Sequence, residues 1–362
     1  SQRLLQGATE CVRELQRAIS EESCDAAERH LTVSMQNNFE VMDLGTSTRD
    51  SQKFLSCLRR DTESNTFKMG VPELDNEGLG PTRKELFMLG GAYGAGKTWG
   101  LLHIALATLF LSHQDVVFYS CEMSEERVCA RLVGMIFNYA PRAVKERFTR
   151  LIQDDEGRVI DFEPDILERE SMFDHEATLL KKMEGFQRRP RLIVKAFPPR
   201  TFTMQRCEAH QDALLAKEGI HPGLVITDYA GIMKFTNPAH KRIELGAHIM
   251  DMRRVAVERN QAHGSAMQLN RPGIADGKAR GIHASEDISI LHTADNAFIY
   301  NQTESEERLG LARIWVDKAR NGKKHFEVLL SQAYGAGKWR LGSSLMHTDY
   351  HKLLKGEGDD EN

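Results

Sequence analysis

Residues 91 to 98, Gly91-Ala92-Tyr93-Gly94-Ala95-Gly96-Lys97-Thr98, fit the spacing G-x-x-x-x-G-K-[ST] without a mismatch. Glycines let a backbone curl so that successive N–H groups face inward on phosphate oxygens, and a helix that follows offers its positive end to the same charge. Lys97 would then reach the β and γ phosphates of a nucleotide, and the Thr98 hydroxyl would ligate Mg²⁺. A chance match in a Gly-rich turn is the plain alternative. Against it stands the context: the largely apolar run Glu85 to Leu89 precedes the loop, and apolar Trp99 to Leu111 follows it. A second run, Ala333-Tyr334-Gly335-Ala336-Gly337-Lys338, repeats six residues of the first but has Gln332 and Trp339 where the pattern needs Gly and Ser or Thr. With strand-like residues on both sides, it reads as a hairpin turn.

Cleavage of a bound nucleotide also needs a metal ligand and a group that activates water. Leu224-Val225-Ile226-Thr227-Asp228 is an apolar strand ending in a carboxylate, which suits Asp228 to hold the metal; a strand-end Asp capping a turn is the bland reading. Glu122 follows the strand Val116 to Ser120 and could serve as general base, or merely open the helix beginning near Met123. Gln268 ends the short apolar run from Ser265 and could sense the γ-phosphate. Lys318 and Arg320, two apart near a strand end, would project from one face, although surface cations are commonly just solvated.

Short β-rich runs at 116–120, 192–196, 224–227 and 297–300 alternate with helical patterns, which predicts an α/β fold with a mostly parallel sheet covered on both faces. The segment 141–190 is charged and helix-like, an expected insertion between two strands, and 312–341 reads as two or three strands. Residues 1–64 form an expected helical and linker segment whose stripe of Leu4, Leu5, Val12, Leu15 and Ile19 could pack on its own domain or on a neighbour. The expected catalytic domain spans 65–350, and 351–362 is a polar tail.

With 48 basic and 52 acidic residues the net charge is -4, so any nucleic-acid contact must be local rather than a property of the whole chain. The 6 cysteines form no C-x-x-C pair, which argues against a zinc site and a disulfide framework. No stretch is long and apolar enough to span a bilayer, and no signal-peptide core is present, so the expectation is a soluble cytoplasmic protein.

Taken in order, these pieces resemble the RecA-like ATPase core of hexameric replicative helicases of the DnaB family, phage members included. The resemblance covers about residues 67 to 342: the phosphate loop, Tyr119-Ser120-Cys121-Glu122-Met123-Ser124 with Arg131 downstream, Ile226-Thr227-Asp228-Tyr229, Gln268-Leu269-Asn270-Arg271, and Lys318-Ala319-Arg320-Asn321-Gly322. It implies ATP and Mg²⁺ as cofactors and a nucleotide site that includes Arg131. Glu122 is implied as catalytic base, Gln268 as the link between nucleotide and DNA loops, and Lys318 with Arg320 as cations supplied to a neighbouring subunit. It further implies a ring, expected to be a hexamer, moving 5′ to 3′ on single-stranded DNA and separating forked duplex, with a separate primase and loader as partners. Two polar stretches would face the channel: 234–245 with Lys241 and Arg242, and 271–285 with Arg271, Lys278 and Arg280. The N-terminal segment does not resemble the family's helical N-terminal domain. A filament-forming recombinase or repair ATPase, and a nucleotide-gated adaptor with little turnover, are the competing functions.

Overall fold

A computed structural model of the chain describes residues 46–62, 65–185, 190–237, 240–269 and 293–346, with residues 350 and 354. The chain divides into two units, residues 1–64 and 65–362. In the first, the described helix is α1 (Ser51–Thr62), whose start is fastened by the Lys53 N–H donating to the Asp50 carboxylate at 3.0 Å. The proposed apolar stripe of residues 4 to 19 and the polar tail 351–362, Leu354 apart, lie outside the described residues.

The second unit begins with the short α2 (Pro72–Asn76) and is built on a nine-stranded sheet. Its parallel part comprises β1 (Leu86–Gly91), β2 (Val116–Ser120), β5 (Leu192–Ala196), β6 (Leu224–Asp228), β7 (Ala262–Gln268) and β8 (Asn296–Asn301). The antiparallel β9 (Leu311–Lys318), β10 (Glu327–Ala333) and β11 (Lys338–Leu345) extend one side, giving the order β11-β10-β9-β8-β1-β7-β6-β2-β5. The expected α/β fold and largely parallel sheet are therefore observed, with all three strands of the last segment present.

The inner strands β1, β2 and β6 are largely apolar on consecutive residues because each buries both faces. Phe87, Leu89, Val116 and Phe118 join one core together with α3 (Lys97–Leu111); Leu86, Met88, Val117 and Tyr119 join the other. The second core is covered by α6 (Met204–Glu218) and α7 (Lys241–Glu258). Helix α3 packs so closely that a β-carbon on Gly100 would lie 2.7 Å from a Leu89 methyl and 3.0 Å from the Trp339 ring.

The expectation of helix over 141–190 is corrected for most of that span. After α4 (Glu125–Phe137) the chain forms a long antiparallel hairpin, β3 (Val144–Gln153) and β4 (Val159–Arg169), before the helical α5 (Glu176–Glu184). Buried or half-buried positions alternate with exposed ones along Val144-Lys145-Glu146-Arg147-Phe148, the period of a strand with one face wet. Asp154 accepts backbone N–H groups of Glu156 and Arg158, and Gly157 adopts φ +75°, which closes the turn. Val159 and Phe162 on the inner face pack with Leu311 and Leu329 against the antiparallel end of the main sheet.

Candidate nucleotide site

The chemistry-bearing residues gather because parallel strands end on the same rim. Gly91 is level with Gln268 on one side and Tyr300 on the other, and Ser120 is level with Asp228. The phosphate loop leaves β1 at Gly91 and enters α3 at Lys97, with Gly94 at φ +77° and Gly96 at φ +88°, a region that favours glycine. The Lys97 ammonium is turned back onto its own loop, donating to the carbonyls of Ala92 at 2.6 Å and Gly91 at 3.1 Å. Those oxygens hold the cation in the place where phosphate oxygens would otherwise draw it. Tyr93 stands 82% exposed at the loop tip, while Ala92 and Ala95 are half-buried.

Asp228 is buried, and its carboxyl is pushed up to about 6 by that burial, opposed by a hydrogen bond from the Thr98 side chain. The Glu122 charge pushes the same way as burial, and Lys97 and Arg131 oppose it. Its Oδ2 is buried with no hydrogen-bond partner. An orphaned carboxylate oxygen beside a threonine hydroxyl is a fitting ligand pair for Mg²⁺, a hard cation that takes oxygen donors.

Glu122 is exposed and lies two residues ahead of Ser124, the N-cap of α4, so it does not belong to the helix's first turn. The bend that presents it is braced from within. The buried Ser120 hydroxyl donates to the Met123 carbonyl at 2.7 Å and accepts the Met123 N–H at 3.1 Å. The Cys121 N–H donates to the Asp228 carbonyl at 2.8 Å, which ties the bend to the strand that carries the proposed metal ligand.

A cavity of about 680 Å³ runs along this rim, touched by Lys97, Thr98, Glu122, Arg131, Asp228 and Gln268. That volume suits a nucleotide-sized ligand. Arg131 stacks its guanidinium 4.7 Å from the centre of the Trp99 ring. The second Ala-Tyr-Gly-Ala-Gly-Lys run is indeed a hairpin turn, between β10 and β11, yet it also forms a wall of the cavity through Tyr334, Gly335 and Gly337. Tyr334 donates to the Ala95 carbonyl at 3.2 Å, shares a 2.7 Å hydrogen bond with the Tyr300 hydroxyl, and stacks on Trp99. Sequence reasoning missed this wall; its signal was the unusual pairing of glycines with an aromatic residue in a hairpin.

Lys318 and Arg320 are elsewhere. Lys318 is paired with Ala297 near the start of β8, about 10 Å of strand below Tyr300, the residue level with the phosphate loop. Its ammonium donates to the Ala294 carbonyl at 2.6 Å, and Arg320 donates to the Asp295 carboxylate at 2.6 Å. Neither cation can serve the loop of its own chain from that end of the sheet.

The stretch 234–245, expected as a loop, is one only in part, since Lys241 and Arg242 begin α7. The preceding turn is pinned because Glu244 accepts the backbone N–H groups of Thr236 and Asn237, at 2.5 and 2.7 Å. Lys241 sits 5.5 Å from the centre of the Phe235 ring. Arg271, Lys278 and Arg280 lie outside the described residues. Among the described residues, no helix is long and apolar enough to cross a membrane.

Comparison with known proteins agrees with this arrangement. A family model described as the DnaB-like helicase C-terminal domain matches residues 66–334. Among solved structures, a DnaB-like replicative helicase, described with its interactions with primase, superposes with a TM-score of 0.64 at 14% identity, covering 91% of this chain and 75% of that one. A second solved structure, described as an ATPase domain, superposes with a TM-score of 0.59 at 14% identity, covering 84% of this chain and 100% of that one. No curated protein matches the sequence significantly.

Proposed function

The chain belongs to the family of DnaB-like helicases, and on that premise we propose that it is the ATP-driven motor of a ring, a hexamer by family resemblance, that travels along single-stranded DNA and separates duplex at a fork. The family is one of ATP-hydrolysing replicative helicases. The observation that carries the finer reading is the division of labour along the sheet. Glu122, Asp228, Thr98 and Gln268 converge around Lys97, whereas Lys318 and Arg320 stand at the other end of the strands.

In this reading the γ-phosphoryl group lies over the loop's N–H groups, with Lys97 released from its own carbonyls to neutralise phosphate charge. Magnesium bound by Thr98 and Asp228 would supply further positive charge to the β and γ oxygens. Glu122 accepts a proton from the attacking water as its oxygen bonds to the γ-phosphorus, the bond from that phosphorus to the bridging oxygen breaks, and ADP and phosphate depart. Arg320 of the adjoining subunit steadies the charge that develops on the transferring group, so turnover requires neighbours. Gln268, level with Gly91 and ending the strand that leads into 270–292, is suited to report the state of the γ-phosphate toward the DNA side. Lys241 and Arg242, and by sequence Arg271, Lys278 and Arg280, would track phosphates of the strand, a mode that weakens with salt. Primase and loader are proposed as separate partners, and the cytoplasm as the compartment.

The test mixes wild-type subunits with Arg320→Ala and measures ATP hydrolysis on single-stranded DNA, alongside particle mass and unwinding of a forked duplex. Loss steeper than dilution, a mass of several subunits and strand separation are expected. Activity that falls only in proportion to dilution, or filaments in place of closed rings, would contradict the proposal.

A further inference from the structure

The far end of the sheet is organised by one carboxylate. Asp295 immediately precedes β8, and its side chain is only 5% exposed. Its Oδ2 accepts the Leu86 N–H at 3.0 Å and Arg253 Nε at 3.1 Å; its Oδ1 accepts Arg253 Nη2 at 3.0 Å and Arg320 Nη1 at 2.6 Å. Two guanidinium groups therefore share Oδ1. They are not equivalent. Arg253, on α7, grips both oxygens in the two-pronged manner that suits guanidinium to carboxylate. Arg320 touches one oxygen, and its side chain is 53% exposed. If Arg320 leaves, Asp295 still has Arg253 and the Leu86 N–H, so no bare buried charge is created and departure costs little.

We propose that Asp295 is a positioning residue that parks Arg320 within its own subunit, and that Arg253 competes for the shared oxygen and so sets how readily Arg320 is freed for the neighbouring site. The inference rests on the proposed role of Arg320 across a subunit boundary. Helix α7 gives the competition a direction. It starts with Lys241 and Arg242, the proposed strand-contacting pair, and carries Arg253 three turns further on. A strand that draws on the start of α7 alters the grip of Arg253 on Asp295, and through it the hold on Arg320.

Two substitutions in the 362-residue chain pull in opposite senses. Asp295→Asn weakens the hold on Arg320, and ATP hydrolysis without DNA should rise about threefold while stimulation by single-stranded DNA shrinks. Arg253→Gln removes the competitor, and hydrolysis without DNA should fall about threefold. The KM for ATP should stay at the wild-type value in both, since the loop is at the other rim. General loosening of the fold would shift both variants the same way, and that result overturns the inference. Should Asp295→Asn fail to fold, Arg253→Gln decides alone: DNA-free turnover equal to or above wild type overturns the inference. The Arg320→Ala mixing experiment separates the two levels. Loss in mere proportion to dilution removes the cross-subunit role itself, whereas steep loss with same-direction shifts removes only the parking.

Discussion

A β-carbon on Gly96 would lie 2.1 Å from the hydroxyl oxygen of Tyr334. The phosphate loop is thus pressed from outside by a hairpin far later in the chain, and Gly96 is required twice, by that contact and by its φ of +88°. Gly96→Ala should abolish nucleotide binding in a fluorescent-nucleotide titration. Adding Tyr334→Ala should not restore it, because removing the ring leaves the backbone strain in place; recovery would show that the contact alone matters. Tyr334→Phe, which keeps the ring and loses the hydroxyl's bonds to Ala95 and Tyr300, should cost about 1 kcal/mol of stability.

Glu122→Gln removes the proposed proton acceptor without disturbing the Ser120 brace, which uses other atoms. Turnover should drop by roughly 10²- to 10⁴-fold with nucleotide affinity nearly unchanged. Retention of most of the rate would reassign the base.

Glu306 joins two functions on the antiparallel side. It caps α8 (Glu304–Arg308), accepting the Thr303 N–H at 2.7 Å, and it pairs with the buried Arg313 at 2.6 Å while accepting the Tyr350 hydroxyl at 2.6 Å. Glu306→Gln takes the nearest negative charge from the buried guanidinium, which keeps Glu327 at 2.9 Å, and should destabilise the fold by about 3 kcal/mol in denaturant titration. Glu306→Gln with Arg313→Met should recover part of that loss, since the buried positive charge goes too.

Two buried histidines give stability a slope with pH. Burial lowers His263 to about 3 and His103 to about 4, from an ordinary 6.5. Below about 6.5 the unfolded chain therefore binds protons that the folded chain refuses, and stability falls as pH drops through that range toward 4, by up to roughly 1.4 kcal/mol per unit for each group. Asp228, raised to about 6, and Asp75, also raised by burial, act in the opposite sense, while His210, lowered by burial, adds to the fall. Thermal midpoints between pH 7 and 4.5 should fall on acidification, and His263→Asn should flatten the fall; an unchanged slope would exclude His263 as a source.

How much of this was legible in the sequence follows from the distance along the chain between partners. The phosphate loop is contiguous, and the strand-end acids Asp228 and Glu122 each follow a recognisable apolar run, so their approach to Lys97 needed only the rule that parallel strands end together. The β3–β4 segment reads as helix because its many charged residues leave no clear apolar stripe, and one wet face with a half-buried other resembles a polar helix unless the period is weighed. Asp295 gave no signal: its partners Leu86, Arg253 and Arg320 are 209, 42 and 25 residues away. Tyr334 was seen as part of a turn, but nothing local tells that a turn will lean on a loop 239 residues earlier.

With Arg320 serving the neighbouring subunit, as proposed above, its place at the opposite end of the sheet from Lys97 would impose a polarity on what the subunits build. A donor end would then always meet an acceptor end, as in a row of people each with a hand on the next shoulder, and every copy in the proposed ring would face the same way. An engine so assembled would have a built-in heading before any cargo entered it, and reversing its travel would require turning each member over.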